Sequence, residues 1–205
     1  MKSDRLPELT ALVVIDAQNA FFADAGSFAR RGCHLNQRDE LKQAILIAVR
    51  AFRQRRQPVI CTKMEFAPGY AEAGLLVREK HPMIRDVGAY LRGSHDADLF
   101  EELKAELGDG VWVVPKSRYD AFLSPEFLSL VKTLGIHRFV VAGALTNVCV
   151  ESFARSAFDR DFPVTVIADA TTTYSPELQT ATLKTLQAHF AEVVPLKEFL
   201  AAFPQ

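Results

Sequence analysis

The chain has 205 residues, of which 49% are hydrophobic and 24% charged, with a formal net charge of −1. That balance fits a soluble globular protein with one sizeable core and supplies no broad positive field for nucleic acid or an anionic membrane surface. Three cysteines with no close pair make no disulfide framework, and no apolar run approaches the length of a bilayer span.

The polar opening, MKSDRLPELT, leads straight into an apolar run and does not resemble a secretory signal, so a cytoplasmic protein is expected. No repeat, low-complexity tract or linker divides the chain, and residues 1–205 read as a single domain. Ala11 to Ile15 is all apolar, the pattern of a strand buried on both faces, with Asp16 at its C-terminal end. Leu41, Ile45, Val49 and Phe52 recur at helical spacing, predicting an amphipathic helix over 37–54. The arginines around its end, Arg50, Arg53, Arg55 and Arg56, suit a solvated helix C-terminus better than a nucleic-acid patch. After Pro58, Val59 to Thr62 reads as a second strand, which places Cys61 in the core.

Met64 to Gly93 is the least regular stretch, with Pro68, Gly69, Gly74, Pro82 and Gly88 and no clean period. A loop of that length in a compact domain is functional or an interface, so it is expected to cover a substrate or form an oligomer contact. Ser94 or Asp96 is placed to cap a helix carrying Leu99, Leu103 and Leu107 up to Gly108. Val111 to Val114 is a third strand, followed by Lys116, and Ser124-Pro125-Glu126 starts a helix that ends near Gly135. Phe139 to Ala142 is a fourth strand, broken at Gly143. After a polar turn, Val150, Phe153, Ala154, Ala157 and Phe158 mark a helix, so Cys149 sits at a helix start. A fifth strand, Val164 to Ala168, a helix over 176–189, a sixth strand at Glu192 to Val194 and a final helix from Leu196 complete the chain. Strands alternating with helices predict a three-layer α/β fold with a mostly parallel sheet.

In such sheets ligands bind beyond the carboxyl ends of the strands. Asp16, Lys116 and Cys149 follow the first, third and fourth strands, so all three fall at that edge. Singly, each has an ordinary reading: a turn aspartate, a surface lysine, a buried cysteine acting as a small hydrophobe. Together they form a chemically coherent set. The helix start favours a thiolate, the carboxylate accepts the thiol proton, and the ammonium balances the negative charge. None of the five histidines is needed, and Cys33, beside Gly32 in a loop-like stretch, reads as incidental.

The segments LVVIDAQNAFF around Asp16, KSRYDAF around Lys116, GALTNVCVESFARSAF around Cys149 and the later VIADAT resemble the isochorismatase-like cysteine hydrolase family, from about Leu12 to Val194. Ala20 replaces an acidic residue usual in the first of these patterns. The resemblance implies a six-stranded parallel sheet ordered 3-2-1-4-5-6 and an Asp16–Lys116–Cys149 triad. It also implies a cis Ala144–Leu145 peptide whose Leu145 N–H, with that of Cys149, binds an oxyanion. The implied reaction is hydrolysis of a small amide or carbamoyl/ureido C–N bond through a cysteine thioester, in a homo-oligomer (dimer or tetramer) and without a cofactor. Nicotinamidases of the family carry an aspartate and histidines after the second strand. Here TKMEFAPGY offers only Glu65, so no metal is expected. Phe21, Phe22, Glu65, Tyr119, Phe122, Leu145 and Thr146 are candidate substrate contacts, and Arg78, Arg85, Arg92 or Arg118 candidates for a substrate carboxylate. Two alternatives stay open: a vinyl ether hydrolase of the isochorismatase type, and a non-catalytic or redox-responsive thiol protein, the latter weakened by the lack of a second cysteine nearby in sequence.

Overall fold

The computed structural model describes residues 9–203; the polar N-terminal stretch read above lies mostly outside them. Six strands, β1 (Leu9–Ile15), β2 (Val59–Met64), β3 (Val111–Lys116), β4 (Ile136–Ala144), β5 (Val164–Thr172) and β6 (Glu192–Val194), form one parallel sheet in the order β3-β2-β1-β4-β5-β6. Helix α1 (Arg38–Gln54) and helix α5 (Leu196–Ala202) pack on one face. Helices α2 (Pro125–Leu134), α3 (Glu151–Phe158) and α4 (Pro176–His189) pack on the other.

The apolar runs are explained by burial on both faces. Along β1, Leu12 and Val14 point into the core beneath α1, while Ala11, Val13 and Ile15 point into the core beneath α2 and α3, all with no exposed surface. Cys61 is fully buried beneath α1, as its strand position implied.

Several boundaries differ from the sequence reading: β2, β3 and β5 run on to Met64, Lys116 and Thr172, and two further differences have a clear structural reason. Gly143 does not end β4; the strand passes through it to Ala144 with φ +114°, and a Cβ there would lie 2.1 Å from the Ile15 carbonyl oxygen. Glycine is what lets β4 close onto β1 at this point. The helix expected up to Gly108 is instead a tight turn at His95–Ala97 and a single helical turn at Glu101–Lys104. Ser94 caps the first, accepting from the Ala97 N–H at 3.2 Å. The chain between them is held extended by the segment after β1: Asn19 N–H donates to the Asp98 carbonyl, Phe100 N–H to that of Ala17, and Gln18 Nε2 to that of Ala97. Asp96 caps nothing; it accepts from the backbone and hydroxyl of Ser27 at 2.8 and 2.7 Å. α2 starts with Pro125 at its first turn and ends at a left-handed Gly135, but the Ser124 side chain makes no cap bond.

Candidate active site

The strand order reverses between β1 and β4, where adjacent chains leave the sheet in opposite directions and open a crevice. Asp16 follows β1 with φ +48°, a left-handed conformation that aspartate tolerates better than most residues. Its backbone N–H donates to the Thr62 carbonyl at 3.2 Å, and the Thr62 hydroxyl donates to its Oδ1 at 2.8 Å. Lys116 ends β3. Neighbouring strands lie ~4.8 Å apart, so β3 stands roughly 10 Å from β1; only a long side chain crosses that gap. The ammonium passes over Met64, its partner across β2–β3, and reaches Asp16 Oδ2 at 2.7 Å and Cys149 Sγ at 3.6 Å. Arg118 O at 3.0 Å and Met64 Sδ at 3.2 Å complete its surroundings. The side chains of Lys116 and Asp16 are 1% and 4% exposed, so the pair is buried.

Cys149 lies in a wide turn, Thr146–Val150, in which Val150 N–H bonds back to the Leu145 carbonyl at 3.2 Å, and α3 continues from it. The Ala144–Leu145 peptide is cis.

Electrostatics departs from the expectation of a thiolate favoured by a helix start. Burial pushes the Cys149 thiol above its ordinary range. Lys116 pulls it down, while the Asp16 charge and hydrogen bonding to Asp16 push it up. Burial lowers the Lys116 ammonium, but Asp16 and Cys149 outweigh it and leave Lys116 above its ordinary value.

Above these groups is a cavity of about 270 Å³. Of the residues singled out in the sequence, Asp16, Cys149, Leu145, Phe21 and Tyr119 line it. Four other candidate contacts lie elsewhere. Phe22 is buried against Phe100, with ring centroids 5.2 Å apart, and Phe122 is stacked on Phe153 beneath the opposite face of the sheet at 5.2 Å. Glu65 turns to an open depression beside β3, paired with Lys63 at 2.5 Å and Arg92 at 2.9 Å. Thr146 is fully buried and forms no part of the wall. None of the four arginines lines the cavity: Arg92 is held by Glu65, Arg118 by the carbonyls of Glu72 and Ser117, and Arg78 by Glu79, while Arg85 sits outside the wall.

Residues that the sequence reading passed over include Thr62, Phe28, His81, Tyr90, Asn147 and Tyr174. Thr62 had a signal, since the apolar run of the second strand ends with it at the same edge. The others come from loops whose convergence has no local signature. Met64 to Gly93 contributes Leu76, His81, Met83, Ile84 and Tyr90, so this segment forms one side of the cavity. Cys33 lines the same cavity. Among the described residues, no group of three or more His, Cys, Asp or Glu side chains is placed to hold a metal ion. At the position after β2, Glu65 already has two cationic partners, which does not fit a metal ligand set. No helix among the described residues is long and apolar enough to cross a membrane.

Residues 10–198 match the isochorismatase domain family. A ureidoacrylate amidohydrolase, RutB, of Pseudomonas savastanoi pv. phaseolicola is 34% identical over 211 residues, covering 96% of this chain and 84% of the relative. Among solved structures, a cysteine hydrolase from Pseudomonas syringae pv. phaseolicola 1448A superposes with a TM-score of 0.82 at 21% identity, over 98% of this chain and 97% of that one. The nicotinamidase/pyrazinamidase PncA of Bacillus subtilis superposes with a TM-score of 0.76 at 19% identity, over 91% of this chain and 99% of that one. At those identities the two structures speak to the fold alone.

Proposed function

The chain belongs to the isochorismatase family of hydrolases, and on that premise we propose that it cleaves a small amide or carbamoyl/ureido C–N bond through a Cys149 thioester, without a metal. The observation that carries this is the buried Lys116 ammonium lying 2.7 Å from Asp16 and 3.6 Å from Cys149, both of which line the cavity.

Because burial pushes the Cys149 thiol up, attack and deprotonation are coupled. Asp16 takes the proton as Cys149 Sγ bonds to the carbonyl carbon. Lys116 stays protonated, holds the carboxylate and offsets the charge passing between sulfur and oxygen. The oxyanion of the tetrahedral intermediate accepts from the N–H groups of Leu145 and Cys149. Asp16 returns the proton to the nitrogen, the C–N bond breaks, and ammonia or an amine leaves. Water, deprotonated by Asp16, then attacks the thioester, and the acid departs as the thiol regains its proton.

The test is ammonia release from a panel of ureidoacrylate, aryl carboxamides and aliphatic amides, with Cys149→Ala as control. Turnover by the parent protein only, with an acyl adduct on Cys149 seen by mass spectrometry, is the expected result. Turnover undiminished in Cys149→Ala would overturn the assignment. The redox-thiol alternative draws on Cys33 lining the same cavity. It requires a peroxide-induced Cys33–Cys149 disulfide in protein that hydrolyses none of the panel.

A further inference from the structure

Asp16, Cys149 and Asn147 are the polar groups of the cavity on the reactive side, and apart from His81 the remaining wall is apolar or aromatic. Phe21 and Phe28 stack with centroids 4.3 Å apart, Tyr90 tilts against Phe28 at 5.6 Å and Tyr174 against Phe21 at 6.0 Å. Leu76, Met83 and Ile84 add aliphatic surface. Among the described residues no arginine or lysine lines this wall, and His81, which is exposed, is its basic side chain.

An anionic substituent would meet three unfavourable conditions here. It would leave water for an apolar surface, which is costly for an unpaired ion. It would approach the Asp16 carboxylate. It would also find Lys116 already engaged, since three ammonium protons face Asp16, the Arg118 carbonyl, Met64 and Cys149. At about 30 Å³ per water, 270 Å³ holds roughly nine water-sized groups, room for an amide and a ring or a branched chain.

We propose that the cavity takes a neutral amide or ureido compound whose acyl side is an apolar branched or aromatic group, and selects against one whose acyl side ends in a carboxylate. The proposal rests on the amidohydrolase reading for the reaction but on the wall alone for the selectivity. The hydrophobic contacts supply the discrimination, at ten- to two-hundredfold per well-placed methylene.

Matched pairs test it: isovaleramide against succinamate, and benzamide against 4-carbamoylbenzoate. Affinity is measured by calorimetry on Cys149→Ala, and kcat/KM by ammonia release from the parent protein. The neutral member of each pair is expected to win at least tenfold in affinity. Equal or better binding of the carboxylates, or binding of neither member, overturns the proposal. Neutral binding without turnover supports the selectivity and overturns the hydrolase reading instead. Met83→Arg, placed on the wall, is expected to shift the affinity ratio at least tenfold towards the carboxylates. An unchanged ratio in protein that keeps its circular dichroism spectrum overturns the assignment of this wall to the acyl group.

Discussion

Two aromatic groups lie on opposite faces of the same sheet. Beneath α2 and α3, Phe122, Phe127, Phe139 and Phe153 pack edge to face and stacked, with centroids 5.1 to 6.1 Å apart, and all are at most 2% exposed. On the other side, Phe21, Phe28 and Tyr90 stand at similar centroid distances, yet enclose space. In the first group Phe127, Phe139 and Phe153 sit on α2, β4 and α3, with Phe122 on a short turn just before α2. In the second, Phe21 and Phe28 come from the connection between β1 and α1 and Tyr90 from that between β2 and β3, and they meet over the crevice where the strand order reverses. Rings of one kind thus fill volume in one region and shape it in the other, and the difference lies in the backbone that carries them.

The comparison is tested most strongly at the cavity end. Cys149→Ala is expected to lower kcat/KM at least a thousandfold, about 4 kcal/mol of transition-state stabilisation, while the urea midpoint changes little. A large loss of stability alongside would mean that this region is packing after all. Asp16→Asn keeps the left-handed backbone within reach of the side chain but removes the charge opposite Lys116. Activity should fall about a hundred- to ten-thousandfold, and stability by about 3–5 kcal/mol, because a buried ammonium loses its partner. Chemical denaturation at pH 7 reads the second effect.

The solid core should behave in the opposite way. Phe153→Ala is expected to cost about 3–5 kcal/mol of stability while kcat/KM per folded molecule stays within about threefold. Phe28→Ala, beside existing empty space, should cost less than half of that in stability and raise KM about tenfold instead. Equal stability losses for the two would erase the distinction.

A smaller effect separates burial from reactivity. Burial pushes the Cys61 thiol from an ordinary 9.0 to about 12. A raised folded value means that the neutral thiol's contribution is complete below about pH 9 and is lost as pH climbs towards 12. Between pH 9 and 10.5 the parent should lose about 2 kcal/mol from this group, a loss absent in Cys61→Val. Urea denaturation of both proteins at the two pH values measures it.

Much of the molecule is legible in the sequence. ALVVI, VICT and FVVA are continuous apolar runs because strands covered on both faces leave no polar position. The helices between them show the 3.6-residue period because each buries one stripe. Local chemistry at the strand ends points to Asp16, Lys116 and Cys149 for the same reason. The segment 94–107 misleads because its leucines have helical spacing, while hydrogen bonds with Ala17, Gln18 and Asn19 hold 98–100 extended. Those partners are some 80 positions away and leave no mark on the local pattern.

The sequence by itself determined most of the succession of strands and helices and placed Asp16, Lys116 and Cys149 at strand ends, since each depends on neighbours within a few residues; the reversal point of the sheet was implied by the family resemblance and is set by how the strands assemble. Tertiary structure alone decided that Phe21 lines the cavity and Phe22 does not, that Lys116 spans two strands to reach Asp16, and that burial pushes the Cys149 thiol up. Those outcomes depend on which distant surfaces close over a side chain and remove its water, and desolvation is a property of the assembled layers rather than of any stretch of chain.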